Sequence, residues 1–210
     1  MDTDIVQTVA RHSEEIMGAE GFRYVSAVVA NCKMLAIELE AQEEDHTESI
    51  DQEALVIAAY FHDISTAAHG FQDHHVKSAE MAADFLRQQK APEEQIHKVQ
   101  RALLGHVLLD PDQRAAVSRE GQILFDADQL GRLSGLAVVT SLIEFGSRYP
   151  NRAVTGDVLA SVLRHIEERF IELYQSLYTE PARELARDKF NSTIAFLDGV
   201  IEHLSDATPV

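Results

Sequence analysis

Residues 54–64 read Ala-Leu-Val-Ile-Ala-Ala-Tyr-Phe-His-Asp-Ile. Eight consecutive apolar residues, Ala54 to Phe61, leave no polar face. Such a segment has to be buried on all sides, and whatever the chain folds into is built around it. His62 and Asp63 stand side by side at its end. An ionised group carried into an apolar interior is costly unless it is paired. A bound divalent cation is one partner that would satisfy this pair, and an ordinary salt bridge or hydrogen bond is the other.

Composition narrows the field. The chain has 210 residues and is 45% hydrophobic, enough for a sizeable core in one domain with or without an extension. Its formal net charge of -17 argues against wrapping duplex nucleic acid or lying on anionic lipid. An acidic protein that handles phosphates needs a local cation to offset the repulsion. No run reaches the length of a membrane span, and the start Met-Asp-Thr-Asp-Ile lacks the basic and apolar blocks of a signal peptide. A lone cysteine, Cys32, excludes an internal disulfide and fits a reducing compartment, so a cytoplasmic protein is expected.

Helical periodicity dominates the chain, and no stretch alternates like a strand. A helix is expected from Asp4 to Met17, then a break bracketed by Gly18 and Gly21. A second follows over Phe22 to Gln42, with Val25, Val28, Val29, Cys32, Leu35 and Ala36 on one stripe. The acidic stretch from Glu43 to Glu53, with His46, reads as a solvated loop in which Asp51 caps the buried helix. His74 to Gln89 and the stretch opened by Pro92-Glu93-Glu94 are the next helices. The latter carries Ile96, Val99, Leu103 and Val107 at core spacing, so His106 points inward while His97 is solvated.

Asp110-Pro111-Asp112 reads as a turn. The helix after Gly121 has Asp128 on its apolar face, four residues after Leu124, and Asp126 pointing elsewhere. A small-residue helix, Ser134 to Phe145, is expected to pack next. Two long amphipathic helices close the chain, one with Leu159, Leu163, Ile166, Phe170, Leu173 and Leu177. The other has Leu185, Phe190, Ile194, Leu197, Ile201 and Leu204. The expected fold is all-α, a single helical bundle. Its parts would be an N-terminal helix over 1–20, a core over 21–147 and C-terminal helices over 148–210.

Inward or helix-end positions thus collect His62-Asp63, His74, His106 and Asp128. Imidazoles and carboxylates are ligands of Mn²⁺, Fe, Mg²⁺ and Zn²⁺, and side chains from facing helices build metal sites in bundles. Each of these residues taken singly reads as a satisfied polar group. The set reads as a possible site.

His62-Asp63 followed by Asp128 in Phe-Asp-Ala-Asp-Gln-Leu resembles the HD superfamily of metal-dependent phosphohydrolases, whose ligands run in the order His, His-Asp, Asp. His-His-Val-Lys-Ser-Ala-Glu-Met-Ala (74–82) resembles the segment after the HD pair in small bacterial HD hydrolases of the YedJ/YpgQ type. Leu-Tyr-Thr-Glu-Pro-Ala-Arg-Glu-Leu-Ala-Arg (177–187) resembles a segment near their end. The resemblance covers residues 20–204 and implies a helical HD fold. It makes His62, Asp63 and Asp128 metal ligands. His74 and His106 match histidines that bind a second metal or face the substrate phosphate in some subfamilies.

One position departs from the pattern. Tyr24 stands where the first family histidine should be, and the nearest upstream histidine, His12, lies fifty residues before His62 with poorly matching flanks. A phenol that keeps its proton is not a normal ligand of a hard cation. The resemblance implies metal-assisted hydrolysis of a nucleotide or other small phosphoester, in which the ion lowers the pKa of a bound water that attacks phosphorus. Asp63, His74 and His106 are then the catalytic candidates. Tyr24, Lys77 and Arg132 are candidates for contacting the substrate, the two cations by neutralising phosphate charge. The alternative is a non-catalytic HD-fold module that binds a nucleotide or a protein.

Overall fold

The structure, a computed structural model, describes residues 4–42, 49–151 and 153–206. Helices are the regular structure of the described residues, and there is no strand among them. The chain forms two compact units that divide between Asp128 and Gln129, inside one helix.

The first unit holds α1 (Ile5–Gln42), α2 (Gln52–Phe61), α3 (Thr66–His69), α4 (His74–Gln88), α5 (Glu93–Gly105), α6 (Pro111–Arg114) and most of α7 (Arg119–Arg132). Helix α2, apolar from Ala54 on, lies at its centre, packed against α1, α4 and α5. Ala54 to Ala59 and Phe61 to Ser65 are buried, as the lack of a polar face requires. Asp51 caps α2: its carboxylate accepts from Ala54 N–H at 3.0 Å and from the Lys98 ammonium at 3.0 Å. The predicted stripe of α1, Val25 through Ala36, is buried throughout. Ser13 Oγ donates to the Tyr60 carbonyl at 2.9 Å, and the His12 ring stacks on Phe85, so the start of α1 is tied to the core.

The break expected from Gly18 to Gly21 is one residue wide. Gly18 alone leaves helical geometry, at φ 69° and ψ 174°, a region open to glycine and little else. Gly21 continues the helix. Two other boundaries differ from expectation. Pro111 opens a short helix rather than a turn, since proline's fixed φ suits a first helical position. Helix α5 stops at Gly105, so Val107 lies past its end. The acidic stretch 43–48, His46 included, lies outside the described residues.

The second unit holds the end of α7, α8 (Gly135–Arg148), α9 (Gly156–Gln175) and α10 (Glu180–Asp206). Helices α9 and α10 pack on one another through Phe170, Tyr174 and the Phe190 ring that stacks on both. Leu185, expected in this seam, is exposed, because Ala182 and Ala186 form the buried face there. Helix α8 runs three residues past the expected end and buries only part of its apolar surface. Val138 is buried, whereas Leu136, Val139 and Ile143 face outward.

Candidate metal centre

The turn that follows α2 carries the first two site residues. His62 caps the helix, and residues 62–65 form the turn leading to α3. A chain of buried hydroxyls holds that turn against α4. Ser78 Oγ accepts from Ser65 N–H at 3.3 Å and donates to Ser65 Oγ at 3.1 Å. Ser65 Oγ in turn donates to the His74 carbonyl at 3.0 Å. Asp63 and His74 are thereby positioned by the same two serines. Just before α4, Asp73 sits in the left-handed region at φ 54°, a conformation that side-chain-bearing residues adopt infrequently.

His106 is set by the end of α5. A Cβ built on Gly105 would lie 2.6 Å from Val117 Cγ1, and one on Gly121 2.9 Å from the same atom. The absence of side chains at both glycines lets Val117 fill the gap between α5 and α7. Asp128 is buried on α7, next to Ala127, whose carbonyl accepts from the Asn31 side-chain amide of α1 at 3.1 Å.

The three imidazoles are oriented by one device. His62 Nδ1 donates to the Ala59 carbonyl at 2.8 Å, His74 Nδ1 to Phe71 at 2.9 Å, and His106 Nδ1 to Leu103 at 2.5 Å. Each acceptor lies three residues before its histidine. With Nδ1 donating, a neutral ring presents Nε2 as an acceptor. Burial, and then the neighbouring His62, push the His106 pKa down to about 3, so this ring is neutral at physiological pH.

The Nε2 atoms of His62 and His74 face carboxylate oxygens. His74 Nε2 stands 3.5 Å from Asp63 Oδ1. His62 Nε2 stands 3.5 Å from Asp63 Oδ2 and 3.8 Å from Asp128 Oδ1. The His106 ring centroid is 5.6 Å from that of His62 and 5.2 Å from that of His74. His62 Nε2, Asp63 Oδ1 and His106 Nε2 are buried atoms with no hydrogen-bond partner. Buried polar atoms are normally satisfied, so three neighbouring orphans call for a ligand. A divalent cation fits: nitrogen and carboxylate donors around one point, each imidazole held through its other nitrogen by the backbone. Among the described residues, Asp63, His74 and His106 have ligand atoms all within 4.8 Å of one another.

The remaining sequence-predicted residues fall as follows. The Tyr24 hydroxyl donates a hydrogen bond to Asp128 Oδ1, and its ring lies 6.0 Å from that of His62. His12 instead stacks on Phe85. Lys77 donates to the Gln72 carbonyl at 3.0 Å, in the turn before α4. Arg132 is an exposed residue in the last turn of α7, in the second unit. Asp126, expected off the apolar face, is fully buried. Burial, then Asp128 and Asp126, push up the pKa of the Cys32 thiol, which keeps it an unreactive core group.

The profile of the HD domain family matches residues 25–133, more than half of the chain and all of the centre except Tyr24. The chain belongs to the HD domain family. This is a family of metal-dependent phosphohydrolases, and HD domains typically bind divalent metal ions. No curated protein sequence matches the chain.

Several solved structures share the fold. The Lin1889 protein of Listeria innocua is 18% identical, with a TM-score of 0.66 over 97% of this chain and 99% of that one. An HD-superfamily hydrolase of Bacillus thuringiensis is also 18% identical, with a TM-score of 0.65 over 97% and 98%. YpgQ of Bacillus subtilis, solved in complex with ADP, is 16% identical, with a TM-score of 0.68 over 94% and 93%. Among the described residues, no helix is long and apolar enough to cross a membrane.

Proposed function

We propose that this HD protein is a metal-dependent phosphohydrolase acting on a nucleotide or another small phosphoester in the cytoplasm. The observation that carries the reading is the set of buried polar atoms Asp63 Oδ1, His62 Nε2 and His106 Nε2, none with a hydrogen-bond partner, gathered on neighbouring imidazoles and a carboxylate. His62, Asp63, Asp128, His74 and His106 supply the donor types a divalent ion takes. Mn, Fe, Mg and Zn all fit that set. When bound, such an ion supplies Lewis acidity and a water of lowered pKa for attack on phosphorus.

The protein's own groups account for the rest. Asp63 faces both His62 and His74, so one carboxylate links the two imidazole positions. His74, the most open of the three histidines, is placed to orient a phosphate oxygen. Lys77 stands one helical turn after His74 on α4 and offsets part of the phosphate charge. In a chain of net charge -17, a local cation of this kind and the metal are what make an anionic substrate tolerable.

Two observations support a nucleotide over a generic phosphoester. YpgQ, which shares the fold, binds ADP in its crystal. Phe71 is 69% exposed, with its ring centroid 6.0 Å from that of His74, and offers an open face for stacking a base.

A second reading, a non-catalytic module that binds a nucleotide or a protein, is favoured by Tyr24, which is bonded to Asp128 and which the sequence resemblance aligns with the first family histidine. A turnover screen over nucleoside phosphates and simple phosphoesters, with Mn²⁺ and then with chelator, separates the two. Mn²⁺-dependent release of phosphate supports the enzyme. Nucleotide retained without turnover supports the module.

A further inference from the structure

Helix α8 leaves an apolar stripe uncovered. Leu136, Val139 and Ile143 are 74%, 51% and 64% exposed, at helical spacings that put them on one face. Thr140 lies in the same stripe, and its hydroxyl is used locally, donating to the Leu136 carbonyl at 3.0 Å. Gly146 continues the stripe one turn after Ile143. A Cβ built there would meet nothing within 4 Å, so the packing of the chain does not ask for a glycine. Glycine weakens a helix relative to alanine, and what it permits is close approach of another backbone.

Charge narrows what can cover this stripe. The chain carries a net charge of -17, yet α8 holds only Glu144 and Arg148, one of each sign. A basic partner would be drawn to the acidic surfaces instead. Two copies of an acidic chain repel each other least where the facing surface has no net charge. A two-fold contact sets one patch against itself, so an apolar stripe meets an apolar stripe.

The charges of α8 also select a register. With two α8 helices antiparallel about an axis between Val139 and Thr140, Leu136 of one copy faces Ile143 of the other. The same register brings Glu144 of each copy beside Gly135, at the start of the other copy's α8. That start has no anion of its own: its first turn holds no acidic residue, and Ser134 makes no side-chain cap. A carboxylate is favourable at such a helix end.

We propose that the exposed face of α8 is a homodimer interface, in which two copies pair antiparallel through Leu136, Val139, Thr140 and Ile143. One helical stripe is smaller than the roughly 800 Å² per partner of a standard stable interface, so the dimer dissociates in the micromolar range. The inference stands apart from the metal centre.

Sedimentation velocity of the full chain from about 1 µM to about 500 µM, a range that brackets such a dissociation constant, tests it. The wild type is expected to pass from monomer to dimer as concentration rises. Val139→Glu sets like charges together beside the axis, as does Val139→Lys, and each is expected to weaken the dimer by about tenfold or more. An equimolar mixture of the two variants is expected to recover the dimer, because unlike charges then meet across the axis. Position 139 is exposed, so neither change enters the core, and circular dichroism checks that both variants fold. A wild type that stays monomeric at every concentration would overturn the proposal. So would a dimer that both substitutions leave intact, or a mixture that remains monomeric.

Discussion

His74 Nε2 faces Asp63 Oδ1 at 3.5 Å, while His74 Nδ1 is committed to the Phe71 carbonyl. A cation lying between this nitrogen and this oxygen would tie the turn after α2 to α4. Binding a ligand only to the folded state stabilises it, by about 2.7 kcal/mol at one hundred times the dissociation constant. For a chain of this size each kcal/mol raises Tm by roughly 2–4 °C. Saturating Mn²⁺ is therefore expected to raise the thermal midpoint of the first unit by several degrees, and chelator to reverse it. Calorimetric scans with and without the ion measure this, and an unchanged midpoint would contradict it.

Ser78 is the second test, because it touches no candidate ligand. Its hydroxyl serves Ser65 N–H and Ser65 Oγ, and through them the His74 carbonyl. Ser78→Ala leaves the buried Ser65 N–H without its acceptor, at a cost of about 1–3 kcal/mol. Urea unfolding gives the stability loss. Mn²⁺ titration is expected to show weaker binding, since Asp63 and His74 lose their shared anchor.

Gly105 tests the seat of His106. A Cβ there would lie 2.6 Å from Val117 Cγ1, and a β-branched side chain has little freedom to turn away. Gly105→Ala is expected to destabilise by about 1–3 kcal/mol, the usual cost of overpacking, despite alanine's better helix propensity. Adding Val117→Ala should recover most of that loss. Urea midpoints of the single and double variants measure it, and a more stable single variant would show that α5 and α7 part easily.

Asp51 tests the start of the central helix. Burial raises its pKa, but the bonds from Ala54 N–H and Lys98 outweigh burial and hold the group below the ordinary carboxylate value. A depressed pKa means that the ionised form is favoured by folding. Its contribution is therefore present at neutral pH and is lost as pH falls through the folded-state pKa. Asp51→Ala is expected to cost about 1 kcal/mol at pH 7, typical of a lost N-cap. The gap to wild type should shrink in acid, as urea midpoints across that range would record.

Much of the fold is legible in the sequence, because burial leaves a periodic trace. The stripe from Val25 to Ala36 and the unbroken apolar run of α2 predict helices and their buried faces. The phases of His106 and Asp128 predict inward side chains, and both are buried. What escapes is set by pairs far apart in the chain. Ser65 and Ser78 look like ordinary surface serines until α4 folds over the turn. Nothing local says that the Tyr24 hydroxyl meets a carboxylate 104 residues later. Leu185 misleads because size alone marks it as core, whereas close approach of α9 and α10 selects the alanines beside it. Asp126 misleads similarly, since helix α7 is buried on more than one face near Cys32.

The most direct test of the metal-dependent hydrolase reading is turnover of nucleoside phosphates with Mn²⁺ by the wild type and by Asp63→Ala, with circular dichroism on both. Asp63 is the carboxylate that faces both His62 and His74. The expected result is phosphate release by the wild type that chelator abolishes, and a rate lower by about a thousandfold or more in a folded Asp63→Ala protein, as losing several kcal/mol of transition-state stabilisation implies. Turnover that survives chelator, or that Asp63→Ala leaves unchanged, would contradict the account.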